Sequence, residues 1–286
     1  MQLAAGYRIV RLGNGTHSVH SLAHHETFHP VVGPVTEAEA LYVRQLRLAE
    51  RLQSHAGEFV LWDVGLGAAA NAITALRRTR HIQCTIRMLS FDCTLEPLAF
   101  ALQHREALGY LGGYEEHLAC LLHERRCVFE DGGQTVHWEV HEGDFPTLLT
   151  EPVAKKLAKP HVIMFDAFSP AANPAMWMQP LFSNLFGLLD PERPCALPTY
   201  SRSTMLRVTL LLAGFYVGVG HATGEKEETT IAANTPALVA EPLDRRWLHR
   251  AHRSTSAEPL WEPVYRQAGL SPASWEKLQQ HPQFRG

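Results

Sequence analysis

The sequence predicts an α/β protein whose central sheet is mostly parallel. Three observations carry that expectation. From residue 59 onward short apolar segments alternate with helical ones, a glycine turn follows the first of them, and acidic residues close several of them. Repeated strand–helix units call for a parallel sheet covered on both faces.

The elements follow in order. Residues 7–12 and 16–20 flank Gly13-Asn14-Gly15 and read as an N-terminal hairpin. After Pro30, Gly33 and Pro34, Thr36 is the expected N-cap of a helix, with Glu39 three residues on. Strands are expected at 59–63, 85–92, 135–141, 161–166 and near 196–197, with helices at 68–80, 95–108, 174–189 and 204–213. Residues 215–219 and 229–233 suit a terminal antiparallel hairpin, 110–134 an insertion, and 235–286 a proline-punctuated tail. The expected domains are therefore 1–56 (hairpin and helix extension), 57–235 (core) and 236–286 (tail).

Composition narrows the function classes. The 286 residues are 45% hydrophobic and 19% charged, which excludes wholesale disorder. A net charge of -3 excludes nucleic-acid binding by global basicity and leaves a local patch open. There is no apolar run of about 18 residues for a membrane span, and the first residues lack a signal-peptide pattern. The five scattered cysteines read as reduced thiols, so the expected setting is cytoplasmic.

Chemistry is expected at the carboxyl ends of the parallel strands, where such sheets bind ligands. Asp63-Val-Gly65-Leu-Gly67-Ala-Ala69-Ala-Asn71 follows a strand and opens a helix, the context in which a glycine loop means cofactor binding. Ala69 stands where a third glycine is usual. Asp92 ends the second strand and suits a ribose diol, or caps the next helix. Asp144 and Phe145 follow the third strand and suit an adenine amine and ring face, or again a cap. An acid ahead of the glycines suits a cationic ligand better than a phosphate, with Asp63 as partner for an amino group. The set points to S-adenosylmethionine over NAD. Asp166 closes the fourth strand within Asp166-Ala-Phe168-Ser-Pro170-Ala-Ala-Asn173-Pro-Ala-Met-Trp177. A carboxylate there can orient an amine and take up its proton. The aromatics of that segment suit a pocket or the core.

These motifs resemble the methyltransferase half of MnmC and its stand-alone counterpart MnmD. The resemblance runs over roughly residues 7–235. It includes Glu26-Thr-Phe-His29-Pro-Val-Val-Gly-Pro-Val-Thr-Glu37-Ala, Thr199-Tyr200-Ser201 and Gly224-Glu225-Lys226-Glu227-Glu228-Thr229. It implies a class I, Rossmann-like S-adenosylmethionine-dependent methyltransferase acting on the aminomethyl group of the wobble uridine of tRNA. Asp166 would then be the catalytic residue. Asp63, Gly65, Gly67, Asn71, Asp92, Asp144 and Phe145 would bind the cofactor. Phe168, Pro170, Trp177, Tyr200 and Lys226 would bind the substrate. Ala69, and Glu227 in place of an arginine, depart from the family pattern. A small-amine methyltransferase and an inactive cofactor-binding module are the other readings.

His25-Glu26-Thr-Phe-His29 matches the zinc-protease H-E-x-x-H spacing, which requires a helix. Pro30 disfavours helical backbone at His29, so no metal is expected despite the 17 histidines. Arg77-Arg78-x-Arg80 and Lys155-Lys156-x-x-Lys159 read as solvated helix ends. Arg245-Arg246-x-x-x-Arg250-x-x-Arg253 is the expected local basic patch for tRNA phosphates.

Overall fold

The computed structural model describes residues 6–224 and 227–285. The N-terminal hairpin forms as expected: β1 (Tyr7–Arg11) pairs antiparallel with β2 (His17–Ser21), and a two-residue β3 (Glu26–Thr27) adds to β2. The next helix, Pro34–Ala38, starts at Pro34 rather than at a Thr36 cap. Proline fits the first helical turn because its missing N–H would have no partner there. The helical path continues as a π-turn segment, Glu39–Arg44, and breaks at left-handed Arg47 before the helix Leu48–Ser54.

The large sheet comprises β4 (Glu58–Val64), β5 (Cys84–Asp92), β6 (Arg126–Asp131), β7 (Gln134–Glu142), β8 (Val162–Phe165), β9 (Ala196–Thr199), β10 (Tyr216–Gly220) and β11 (Thr229–Ala233). Their order is β10-β11-β9-β8-β4-β5-β7-β6. The five middle strands from β9 to β7 run parallel. The terminal hairpin is antiparallel, and its second strand, β11, inserts beside β9. Residues 110–134 are more than an insertion. They hold the helix Glu115–Glu124 and the edge strand β6, antiparallel to β7.

Burial follows topology. Every residue of β8, and all but the first of β4, is buried, because helices cover both faces there. Near the edge β7 alternates, with Val136, Trp138 and Val140 inward. The C-terminal segment joins this core: Leu243, Trp247, Leu248, Leu260, Leu278 and Phe284 pack in one cluster with Trp62, Phe165 and Trp177. Among the described residues no helix is long and apolar enough to cross a membrane.

The chain leaves β4 toward β5 on one side and later returns to β8 on the other. The gap above β4 and β8 is thus the topological switch point, where the ends of two neighbouring strands diverge.

Candidate active site

A cavity of about 500 Å3 opens at that switch point. Its floor is the glycine loop. Gly65 (φ +91°) and Gly67 (φ +52°) turn the chain sharply after β4, and a Cβ on Gly65 would lie 2.5 Å from the carbonyl oxygen of Asp166. Only glycine fits there. The Gly67 N–H donates to Asp92 Oδ2 at 2.8 Å, and the Tyr110 hydroxyl donates to the Ala68 carbonyl at 2.9 Å. Ala69 occupies the third-glycine position in the left-handed region (φ 61°) and is fully buried.

Asp166 follows β8, and its side chain is 15% exposed. Its Oδ2 accepts the Asn71 amide at 2.8 Å and lies 3.5 Å from His29 Nε2, while His29 Nδ1 lies 3.7 Å from Glu37 Oε1. The following loop is held from a distance. Glu26 accepts both the N–H (2.9 Å) and the hydroxyl of Ser169, Trp177 Nε1 donates to the Phe168 carbonyl at 2.7 Å, and the Tyr200 hydroxyl donates to the Ala167 carbonyl at 3.0 Å. Phe168 stacks on His24 with ring centroids 4.1 Å apart and meets Phe28 edge-on at 5.4 Å. The N-terminal segment is therefore one wall of the cavity.

The electrostatics favour cations. Glu26, Glu37, Asp92, Asp144 and Asp166 line the cavity, and no lysine or arginine is among the described lining residues. Burial pushes the Asp63 carboxyl up to about 7 against the Ser90 hydrogen bond, which lowers it, with Asp166 and Asp92 adding to the rise. Burial likewise raises Asp92, partly opposed by the Gly67 and Thr94 N–H groups. Tyr42 and Tyr200 are held well above the ordinary tyrosine range by burial, then by Asp166 and other nearby carboxylates.

Most of the expected site residues come together. Gly65, Gly67, Asn71, Asp92, Asp144, Phe145, Asp166, Phe168 and Tyr200 line the cavity. Phe145 also packs edge-on against Phe91, and Asp144 Oδ2 caps the Thr147 N–H at 3.0 Å. Three stand elsewhere. Asp63 lies beneath the lining, accepting the Ser90 hydroxyl at 2.8 Å. Trp177 is 0% exposed and braces the Phe168 backbone, so it offers no face for a base to stack on. Pro170 shapes the loop without lining the cavity. Lys226 lies outside the described residues. Sequence reasoning gave no role to His24, Phe28, His29 or Glu37; the signal was the His/Glu-rich run 24–37 punctuated by proline and glycine. Its H-E-x-x-H spacing is not helical, since Glu26–Thr27 is a strand and His25 and His29 are left-handed.

The donor set fits S-adenosylmethionine. Asp63 Oδ1 and Asn71 Oδ1 are buried acceptors without a hydrogen-bond partner in the protein, suited to an ammonium group. Phe145 and Asp92 offer a ring face and a diol acceptor.

Comparison with known proteins agrees. A family model described as S-adenosyl-L-methionine-dependent methyltransferase matches residues 115–235. The bifunctional tRNA 5-methylaminomethyl-2-thiouridine biosynthesis protein MnmC of Methylibium petroleiphilum is 29% identical over 244 residues, 82% of this chain and 35% of that protein. MnmC of Vibrio campbellii is 23% identical over 235 residues, 77% of this chain and 33% of its own. The chain thus spans about a third of the length of these curated relatives. The crystal structure of MNMC2 from Aquifex aeolicus superimposes with a TM-score of 0.69 at 22% identity, covering 96% of this chain and 85% of that one. The fold is the class I α/β methyltransferase type, and the family match over residues 115–235 is to S-adenosylmethionine-dependent methyltransferases. Over most of its length the chain is similar to the MnmC proteins and to MNMC2.

Proposed function

We propose that this chain methylates the aminomethyl nitrogen on the wobble uridine of tRNA, with residues 57–235 as the catalytic core between the 1–56 and 236–286 segments. S-adenosylmethionine supplies the methyl group from its sulfonium. The observation that carries the reading is Asp166. It is a partly exposed carboxylate at the switch point, fixed by Asn71, facing a cavity ringed by carboxylates and aromatic rings. Asp63, Gly65, Gly67, Asn71, Asp92, Asp144 and Phe145 hold the cofactor. Asp166 takes the amine proton and orients the nitrogen for in-line attack. An anticodon base is single-stranded and can be splayed into such a pocket, with Phe168 and Tyr200 beside it. A tRNA substrate goes with a cytoplasmic setting.

Phosphate contact falls to the helix Arg245–His252. Arg245 bonds the Phe284 carbonyl, while Arg246, Arg250 and Arg253 are exposed. The cluster at Arg77, Arg78 and Arg80 is spent on structure instead, on the Tyr110 carbonyl, Glu39 and Asp131. Reversing charge at Arg246 and Arg250 should lower the slope of log affinity on log salt by about two; an unchanged slope would place the phosphates elsewhere.

The acidic lining also favours a small amine as acceptor, so the deciding experiment offers both. Labelled S-adenosylmethionine is incubated with bulk tRNA and, separately, with small polyamines. Label in tRNA supports the proposal, label only in the amines supports the second reading, and binding without transfer defeats both. Asp166→Asn should keep cofactor binding and lose about 100- to 10,000-fold in rate. Full activity in that variant would overturn the role of Asp166.

A further inference from the structure

We propose that His29 is a proton-relay residue: it accepts, through Asp166, the proton that the acceptor amine must shed, and Glu37 orients its ring. This rests on the amine-methylation reading above.

An alkylamine is an ammonium ion at neutral pH, with no lone pair to attack with. One proton must therefore leave nitrogen before the N–C bond forms and the S–CH3 bond breaks, its electron pair staying on sulfur. Asp166 is the first acceptor, but its Oδ2 already takes the Asn71 amide at 2.8 Å. That bond occupies one of the lone pairs that could take the proton. A second acceptor that draws the proton onward is what the site needs.

His29 stands there. Its Nε2 lies 3.5 Å from the same Oδ2 and its Nδ1 3.7 Å from Glu37 Oε1, with both side chains 8% exposed. These spacings exceed a hydrogen bond and are the kind that shorten when a substrate closes the site. Imidazole can receive a proton on one nitrogen while the other is stabilised by a partner. Burial disfavours a charge on the resting ring, so that Nε2 keeps its lone pair, and the carboxylate at each end stabilises the imidazolium once the proton arrives. The other titratable groups facing the cluster are the Tyr42 and Tyr200 hydroxyls, both kept protonated, the buried Asp63 carboxyl, and Glu26, which is engaged by Ser169. The backbone at His29 is fixed as well. His29 is held in the left-handed region at φ 48°, directly before Pro30. Strained backbone of this kind clusters at active sites, although Arg47 and Arg125 hold the same conformation at helix ends.

The test compares wild type, His29→Gln and Glu37→Gln on tRNA carrying the aminomethyl group. It measures single-turnover rate from about pH 6 to 10, KM for tRNA, and S-adenosylmethionine affinity by calorimetry. His29→Gln should lose about 10- to 100-fold near neutral pH and converge on wild type as the amine sheds its own proton near pH 10. Affinity for S-adenosylmethionine and KM should stay unchanged, and Glu37→Gln should follow the same profile more weakly. A loss equal at every pH, or weakened cofactor affinity, overturns the relay and leaves His29 as wall. If His29→Gln does not fold, His29→Ala with added imidazole decides: restored rate supports the relay and no restoration overturns it. Wild type that methylates no amine at all overturns the amine reading and the relay together, whereas an active wild type matched by His29→Gln at all pH values overturns the relay alone.

Discussion

The two ends of the chain both read as appendages to the core, yet they do different work. The N-terminal segment sends His24, Glu26, Phe28, His29 and Glu37 into the cavity and meets the Asp166 loop through polar contacts at Glu26 and His29 and ring contacts at His24 and Phe28. The C-terminal segment sends Leu243, Trp247, Leu260 and Phe284 into the core cluster that holds Trp62 and Phe165, and its Leu260 carbonyl accepts the Gln179 N–H. Both ends bury apolar side chains, Leu41, Leu48 and Leu52 at one and Trp247 and Leu260 at the other, but among the described residues the N-terminal end alone lines the cavity.

The contrast breaks if the wrong property moves. Trp247→Ala should cost about 3–5 kcal/mol of stability by denaturant titration, with cofactor affinity intact wherever the variant is folded; lost affinity at full folding would tie this end to the site. Next in size is Asp63, a site residue buried like core. Its folded-state pKa of about 7 exceeds the unfolded value near 3.8, so the folded chain binds more protons between those values. Stability relative to Asp63→Asn should therefore fall as pH rises from about 4 to 7 and then level, by at most about 4 kcal/mol. A flat difference would mean Asp63 stays ionised. Glu26→Ala removes both acceptors of Ser169. Misplacing the Asp166 loop should slow methyl transfer about 100-fold while stability drops only about 1–2 kcal/mol; the reverse pattern would make the N-terminal wall a buttress. Smallest is Ala69→Gly, which relieves a left-handed alanine and should add about 1 kcal/mol of stability without changing the rate.

The sequence revealed the parts whose information is local. The apolar runs of β4, β5 and β8 and the glycine turn between β4 and its helix are written in neighbouring residues. So is the acid that ends each strand at the switch point, and Asp166 with the glycine loop was legible for that reason. The opposite wall was not, because Glu26 meets Ser169 across 143 residues of chain and no local pattern encodes that meeting. Trp177 was misread because an aromatic at a pocket mouth and one in the core look alike until burial is known. Asp63 falls between: its place at the strand end was legible, but whether its carboxyl reaches the cavity depends on Ser90 across the sheet.

The bonds from Asn71 to Asp166 and from Glu26 to Ser169, and the approach of His29 to Asp166, also bear on how the chain comes to exist. The wall is synthesised before the loop it closes upon, so it waits for β8 before it has anything to hold. Forming such distant pairs late slows folding. The two walls of the cavity can therefore meet only after β8 and the loop behind it have been made and docked.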